Sequence, residues 1–415
     1  LRLFHFFNSP IDPRHLVSGG DDLSGAGGWL TSLVRRQLDV PDLRLACASF
    51  GNVRSLQRQS HDRLDSFVIP GSADWTGPRL QRSLEACRAV VADWKPDLVH
   101  VHGTESAYGL LSARGLLDVP VVISIQGLLG PCAEWYHYFG KAGLLDVIRM
   151  HRPLELVALR GQLVEYVRFQ QKAAREREIL AKNRYFVGRT EWDRAHVLAA
   201  NPGATYFHGG ELLRDAFWHR RWRLQDARRH RLVFTNAGRP RKGTEIIFEA
   251  LDLLRGRYPD VQVAIAGVIS RRSGYGRHIR RMLAAAGPAA VELGELNAVQ
   301  MADELARSHV FVSPSYIDNS PNAVCEAQLM GMPVVSSYTG GVPSLVEHGR
   351  TGLSFPTGDA PMLAAQVARL FDDDAWALAL GDQARAVAAV RHEPQAVLHE
   401  LLGVYEAVLG LHRNG

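Results

Sequence analysis

Between His309 and Ser337 the chain passes through an apolar stretch, a polar turn, a helix-spaced stretch and a second apolar stretch, and this order leaves few folds open. His309-Val-Phe-Val-Ser313 reads as a short buried strand. Asp318, Asn319, Ser320 and Pro321 make the turn. Asn322 to Met332 carries apolar side chains at helical spacing and stops at Gly331-Met332-Pro333, a helix-ending signal. Pro333 to Ser337 is a second strand. In an open α/β sheet, ligands collect where strands end and helices begin. Asp318 lies in this turn and Glu326 one helical turn beyond it. The start of the helix offers N–H groups and a positive dipole end, both suited to phosphate or sugar oxygens.

The rest of the chain repeats the alternation. Strands are expected at Leu3–Phe7, Leu43–Ser49, Asp97–His102, Val119–Gln126 and Arg184–Val187. Helices are expected at Trp29–Leu38, at Ser83–Trp94, over roughly 142–182 with a break at Pro153, and from Thr190. Residues 210–230 are polar and basic, and read as a connection between domains. A second series begins at Arg231–Asn236, with strands near 261–266, 290–293, 309–313 and 333–337. Helices follow at 359–371 and 375–391, and a terminal one at 394–411. The pattern predicts two α/β domains, each a parallel sheet covered by helices, facing across a cleft. The expected division is 1–209, a connection at 210–230, 231–392, and a helix at 393–415 that packs back on the first domain.

With 415 residues, two or three cores are expected. The apolar content of 46% and charged content of 22% are those of a soluble globular protein, and no apolar run is long enough to span a membrane. The start, Leu1-Arg-Leu-Phe-His-Phe-Phe, resembles a first strand and not a signal peptide. Cys47, Cys87, Cys132 and Cys325 lack CxxC spacing, which fits free thiols in a reducing cytoplasm. A net charge of +5 favours anionic ligands or a membrane surface, and is too dispersed for nucleic acid. The basic helical region 149–185 is either a face against the cytoplasmic membrane or an ordinary covering helix. Oligomeric state is left open.

Four motifs carry candidate chemistry. Gly25, Gly27 and Gly28 open the first helix and permit close backbone approach; the bland reading is a plain strand–helix loop. Gly238-Arg-Pro-Arg-Lys-Gly-Thr244 follows a strand and precedes a helix, so Arg239 and Lys242 can aim cations at a diphosphate; the alternative is a solvated basic loop. His100 and His102 share one face of a strand. No third ligand follows at metal spacing, so no metal is expected; His102, before Gly103, is the functional candidate and His100 a core residue. Asp372-Asp373-Asp374 joins two helices, with Asp374 read as an N-cap.

The stretch Ser313-Pro-Ser-Tyr-Ile-Asp318-Asn-Ser-Pro-Asn-Ala-Val-Cys-Glu326-Ala, with Gly-Met-Pro-Val-Val and Gly340-Gly341-Val-Pro343 after it, resembles the E-x7-E element of the family 4 glycosyltransferases. Phe234 to Gly243 resembles the turn that opens their donor domain. Gly188–Asp193, Gly210–Arg214, Gly294–Leu296 and Gly27-Gly28-Trp29 fit one bacterial branch. The resemblance implies the GT-B fold of two Rossmann-like domains and a retaining transferase acting on a nucleotide-sugar, UDP- or GDP-linked, in cell-surface polysaccharide or glycoconjugate synthesis.

It also implies roles. Glu326 would bind the ribose hydroxyls, and Asp318 the donor sugar. Arg239 and Lys242 would hold the diphosphate, with Gly27 and Gly28 closing over it from the other domain. The turn Asn319, Ser320, Asn322 and Ala323 would present amides to the sugar. The acceptor, a sugar, lipid-linked or other hydroxyl, would lie near His102, Gln126, Trp135 and Tyr136. No cofactor or metal is expected. Two departures stand out: Asp318 where the family usually has Glu, and Gln126 where many members have His. They leave open a nucleotide-sugar-binding pseudoenzyme, beside another GT-B-like enzyme such as an epimerase or phosphorylase.

Overall fold

The computed structural model describes residues 1–12, 28–72, 75–151 and 161–413. The chain forms two compact units, Leu1–Gly130 with Gln170–Leu212 and His392–Gly415, and Pro131–Phe169 with Leu213–Arg391.

The first unit is built on an eight-stranded sheet of order β3-β4-β2-β1-β5-β6-β7-β8. Its strands are β1 (Arg2–Phe6), β2 (Arg44–Gly51), β3 (Gln57–His61), β4 (Leu64–Pro70), β5 (Leu98–His102), β6 (Val121–Ser124), β7 (Tyr185–Gly188) and β8 (Thr205–His208). β5 is buried at every residue, as a central strand covered on both faces must be. The edge pair β3–β4 is antiparallel and has no counterpart in the expected strands. β3, Gln-Arg-Gln-Ser-His, is exposed throughout and has no apolar pattern to read. β4 buries Asp65 and Ser66 between Leu64 and Phe67, which breaks its alternation. Asp65 is accommodated by Arg58, Ser60 and the Trp94 indole N–H.

The terminal helix, Pro394–Arg413, packs on this unit as expected. Val404, Tyr405 and Val408 join a core with Leu3, Leu45, Val122 and Tyr185. Its Tyr405 hydroxyl lies 2.8 Å from His100 Nδ1 and accepts from Gln37 Nε2 at 3.2 Å.

The second unit holds six strands, β9 (Arg231–Thr235), β10 (Gln262–Ala266), β11 (Ala290–Gly294), β12 (Val310–Ser313), β13 (Val334–Tyr338) and β14 (Leu353–Pro356). They pair in parallel in the order β11-β10-β9-β12-β13-β14. The chain thus builds outward from β9 to one side and then from β12 to the other. The crevice beyond the carboxyl ends of β9 and β12 is where such a sheet binds ligands.

Residues 131–169 differ from the expected division, since they group with the second unit and not with 1–130. Tyr136 meets the Tyr316 ring edge-on with centroids 5.2 Å apart, and Lys141 N–H donates to the Tyr316 hydroxyl at 3.3 Å. A Cβ at Gly140 would lie 2.1 Å from the Tyr316 ring, so only glycine permits this approach. The region 210–230 is packed structure: Phe217 and Trp222 are buried, and the Trp222 indole N–H donates to Ser308 O at 2.7 Å. Among the described residues, no helix is long and apolar enough to cross a membrane.

Candidate functional site

The crevice of the second unit is made by two turns that touch. After β9 the chain forms a tight turn at Pro240–Lys242 and reaches Gly243 at φ +69°, where a Cβ would stand 2.1 Å from Pro314 O. Tyr316 N–H donates to Arg241 O at 2.8 Å, which ties the turn after β12 to the turn after β9. Gly340, at φ +51°, packs against Asp318 O, and Gly341 N–H donates to that oxygen at 3.0 Å. The Gly340-Gly341 pair therefore holds the Asp318 loop by its backbone.

Within this frame Lys242 forms an ion pair with Asp318, and Ser315 Oγ donates to Asp318 Oδ2 at 3.1 Å. The Arg239 guanidinium is held below its ordinary value, first by Arg241 beside it and then by burial. One turn thus carries two guanidiniums close to each other and an ammonium paired with Asp318, so its charge is positive in surplus. The helix Asn322–Met330 starts after Pro321 with no side chain capping it; Val324 N–H donates to Pro321 O at 2.9 Å, which leaves the N–H groups of Asn322 and Ala323 for oxygen ligands. Asn319 is buried beside it, and Ser320, Asn322 and Ala323 are half-buried at its mouth.

Glu326 lies on the same helix with its side chain 4% exposed. Arg214 Nε donates to Oε1 at 2.7 Å and Nη2 to Oε2 at 2.8 Å. Burial pushes the Glu326 carboxyl above its usual range, and Arg214 draws it back in part. The sequence reading assigned Arg214 no role. The signal available was a lone guanidinium in Glu-Leu-Leu-Arg-Asp, beside apolar residues that bury the turn.

The structure therefore gathers Arg239, Lys242, Asp318, Asn319, Ser320, Asn322, Ala323 and Glu326 in one unit. Trp135 and Tyr136 group with that unit, whereas His102 belongs to the first. The helix Trp135–Phe139 packs on the Pro240–Lys242 turn, and Trp135 Nε1–H donates to Ala142 O at 2.9 Å. The Tyr136 ring meets Tyr316, and Trp135 packs on Phe139 and Tyr166; the first is a long-range pairing that the local pattern does not reveal.

In the first unit, His102 is buried as deeply as His100, so burial does not separate the two. His5 Nδ1 lies 3.0 Å from His102 Nε2, and His100 Nε2 lies 2.6 Å from Ser124 Oγ. Burial holds His5 down to about 3 and keeps His100 and His102 well below the usual value. Their ligating nitrogens lie within 4.8 Å of one another, so this is the group that could hold a metal ion among the described residues. His100 already has both nitrogens engaged, by Tyr405 and Ser124.

Beside them a cavity of about 40 Å³ is lined by His102, Ser124, Ile125, Arg189 and Glu211, room for water and not for a sugar. Arg189 pairs with Glu211 and donates to Gln126 Oε1 at 3.1 Å, so Gln126 acts here as an acceptor. Gly28 begins the helix Gly28–Leu38, while Gly25 and Gly27 lie outside the described residues, as does Pro153. In the acidic run, Asp373 and not Asp374 caps the helix after it, accepting from Trp376 N–H at 2.9 Å; Asp374 pairs with Arg229.

Residues 229–373 match the family described as Glycosyl transferases group 1. A D-inositol 3-phosphate glycosyltransferase of Arthrobacter is 33% identical over 161 residues, 38% of this chain and 37% of its own. The matched segment thus spans little more than a third of that relative. The alpha-D-kanosaminyltransferase of Streptomyces kanamyceticus is 26% identical over 326 residues, 75% of this chain and 77% of its own. Among solved structures, sucrose-phosphate synthase of Thermosynechococcus elongatus superposes with a TM-score of 0.73 at 17% identity, covering 99% of both chains. Anabaena HepE in complex with UDP-glucose gives 0.68 at 14% identity, over 98% of this chain and 99% of that one.

Proposed function

We propose that the chain, whose residues 229–373 match the group 1 glycosyltransferases and whose fold is that of GT-B enzymes, is a family 4 glycosyltransferase that moves a sugar from a nucleotide diphosphate donor to an acceptor hydroxyl with retained anomeric configuration. The observation that carries this reading is the crevice beyond β9 and β12, where Lys242 of the basic turn that also bears Arg239 and Arg241 pairs with Asp318, before the helix bearing Glu326.

Breaking the glycosidic bond leaves a nucleoside diphosphate, and its growing negative charge is the main electrostatic task. Arg239 and Lys242 supply fixed positive charge there, and the helix start adds oriented N–H groups, without reorganisation at the moment of reaction. Asp318 orders the donor sugar and balances Lys242 while the site is empty of substrate. The acceptor attacks from the side the phosphate leaves, and a leaving phosphate oxygen takes its proton. Arg and Lys charge is sufficient for this scheme, so it calls for no metal.

Acceptors of glycoconjugate or polysaccharide synthesis, lipid-linked ones included, suit this reading. Leu144, Leu145 and Ile148 are exposed on the helix Leu144–Met150 beside Arg149, which supports contact with an anionic membrane surface.

The test is a thermal-shift screen against UDP, GDP and ADP and their sugars, with and without EDTA, followed by an assay for nucleoside diphosphate release. Ligand at about 100 times its Kd should stabilise the protein by about 2.7 kcal/mol. No shift with any nucleotide overturns the reading, and a shift abolished by EDTA overturns its metal-free form.

A further inference from the structure

We propose that Arg214 is a positioning residue for nucleotide recognition: its guanidinium fork fixes the Glu326 carboxylate and leaves a lone pair on each oxygen for the two hydroxyls of a ribose. The inference rests on the reading of this crevice as the nucleotide-sugar site.

The geometry is that of a fork on a carboxylate, with one N–H bond to each oxygen, at 2.7 and 2.8 Å. A carboxylate has about four acceptor positions, so two stay available. Glu326 cannot be left to itself at this depth. Its side chain is 4% exposed, and a bare carboxylate there would take up a proton. A protonated acid turns one of its acceptors into a donor and suits a diol less well.

Arg214 is itself held in place. Its guanidinium stacks over the Phe217 ring, 4.8 Å from the centroid, and Phe217 is fully buried. The short turn Asp215–Phe217 packs against the helix that carries Glu326. Trp222 N–H donates to Met330 O at the end of that helix, at 2.8 Å. Donor and acceptor of the fork therefore sit on elements tied to each other, and the fork fixes the Glu326 rotamer. The Arg214 side chain is 31% exposed, so its outer N–H groups stay wet while the bonded ones are buried.

The test titrates UDP, GDP and ADP into wild type, Arg214→Gln, Arg214→Lys, Glu326→Gln and the double variant Arg214→Gln/Glu326→Gln by calorimetry from pH 5.5 to 8.5. Thermal unfolding of each is recorded alongside. For the nucleotide that binds wild type, Arg214→Gln should weaken affinity on the order of 10- to 100-fold. The pH below which affinity falls should move up by about one unit or more, because the buried acid has lost its cation. Arg214→Lys should restore most of the pH profile and only part of the affinity, since an ammonium supplies charge without the fork. In the Glu326→Gln background, Arg214→Gln should cost little more.

A variant Arg214→Gln that binds like wild type with an unmoved pH profile overturns the inference and leaves the proposed function standing. So does a loss of affinity that is additive with Glu326→Gln. If wild type binds none of the three nucleotides, the reading of the site fails, and the inference with it. If Arg214→Gln does not fold, Arg214→Lys decides: full affinity with one cation and no fork overturns the proposal.

Discussion

Lys242 and Asp318 form an ion pair from turns that follow β9 and β12, the two strands between which the sheet of the second unit reverses its order. Their side chains are 15% and 18% exposed, so the pair is largely sheltered yet open to a ligand. On the proposed reading a diphosphate entering the crevice would meet a lysine already balanced by a carboxylate and an Arg239–Arg241 pair that, among the described residues, has no acid bonded to it. The arginines should therefore dominate capture of the donor, and Lys242 should act as charge shifts to the leaving group.

That division predicts different kinetics for neighbouring carboxylates. Asp318→Asn should lower kcat on the order of 100-fold while changing nucleotide affinity little. Glu326→Ala should instead weaken nucleotide binding on the order of tenfold or more. Steady-state kinetics with calorimetric affinity for UDP or GDP separates the two. Identical behaviour of the two variants would contradict the separate roles.

Glu245 predicts a pH effect on stability. Burial pushes its carboxyl up to about 7, although Tyr275 Oη donates to it at 2.9 Å. An acid that is harder to ionise when folded stabilises fully below its ordinary value of 4.5, and that contribution is lost as pH rises towards 7. Glu245→Gln should thus raise Tm at pH 8 by about 2–4 °C and by less at pH 5. Differential scanning fluorimetry across that range checks it; an equal effect at both pH values would show that the carboxyl does not titrate there.

The first unit should respond in the opposite sense. His5 is held down to about 3 by burial, so its contribution to stability is complete above 6.5 and is lost as pH falls towards 3. His5→Phe should flatten the decline in urea midpoint between those values. If the decline is as steep in the variant, other groups cause it.

Tyr405→Phe removes the hydroxyl between His100 and Gln37, and should destabilise by about 1–3 kcal/mol. Urea unfolding followed by tryptophan fluorescence measures it, and a midpoint equal to that of wild type would mean that this bond holds nothing.

Leu145 is 67% exposed between Leu144 and Ile148. Leu145→Glu should lower co-sedimentation with vesicles containing anionic lipid by several-fold, about 1–2 kcal/mol of lost apolar contact. Unchanged sedimentation would remove this helix from any membrane contact.

The strand–turn–helix–strand core of the second unit was legible because each element carries its own signal. Val310–Val312 is continuously apolar, Asn322–Met330 has helical spacing, and Gly331 ends it at φ +79°. The basic turn after β9 and the two acids were found for the same reason. β14, Leu-Ser-Phe-Pro, was missed because four residues give no period to read. The burial of His102 against His5 was not legible, because His5 lies on a strand far away in sequence, and the register that sets His5 opposite His100 is not written locally. Arg214 and Tyr316 were missed likewise: their meaning lies in Glu326 and Gly140, 112 and 176 positions away.

The chain is threaded so that neither unit is a continuous piece of sequence. The first unit buries Val404, Tyr405 and Val408 in its core, and the second takes the Tyr316 packing from residues 136–141. On the ribosome, therefore, the sheet of the first unit is made early and covered late: an apolar face stays open until the helix Pro394–Arg413 emerges. The second unit has its early segment in hand before its own sheet exists. Domains that usually fold one after another during synthesis are here bound to finish together, and a nascent chain stopped short of residue 392 would expose the surface on which aggregation starts.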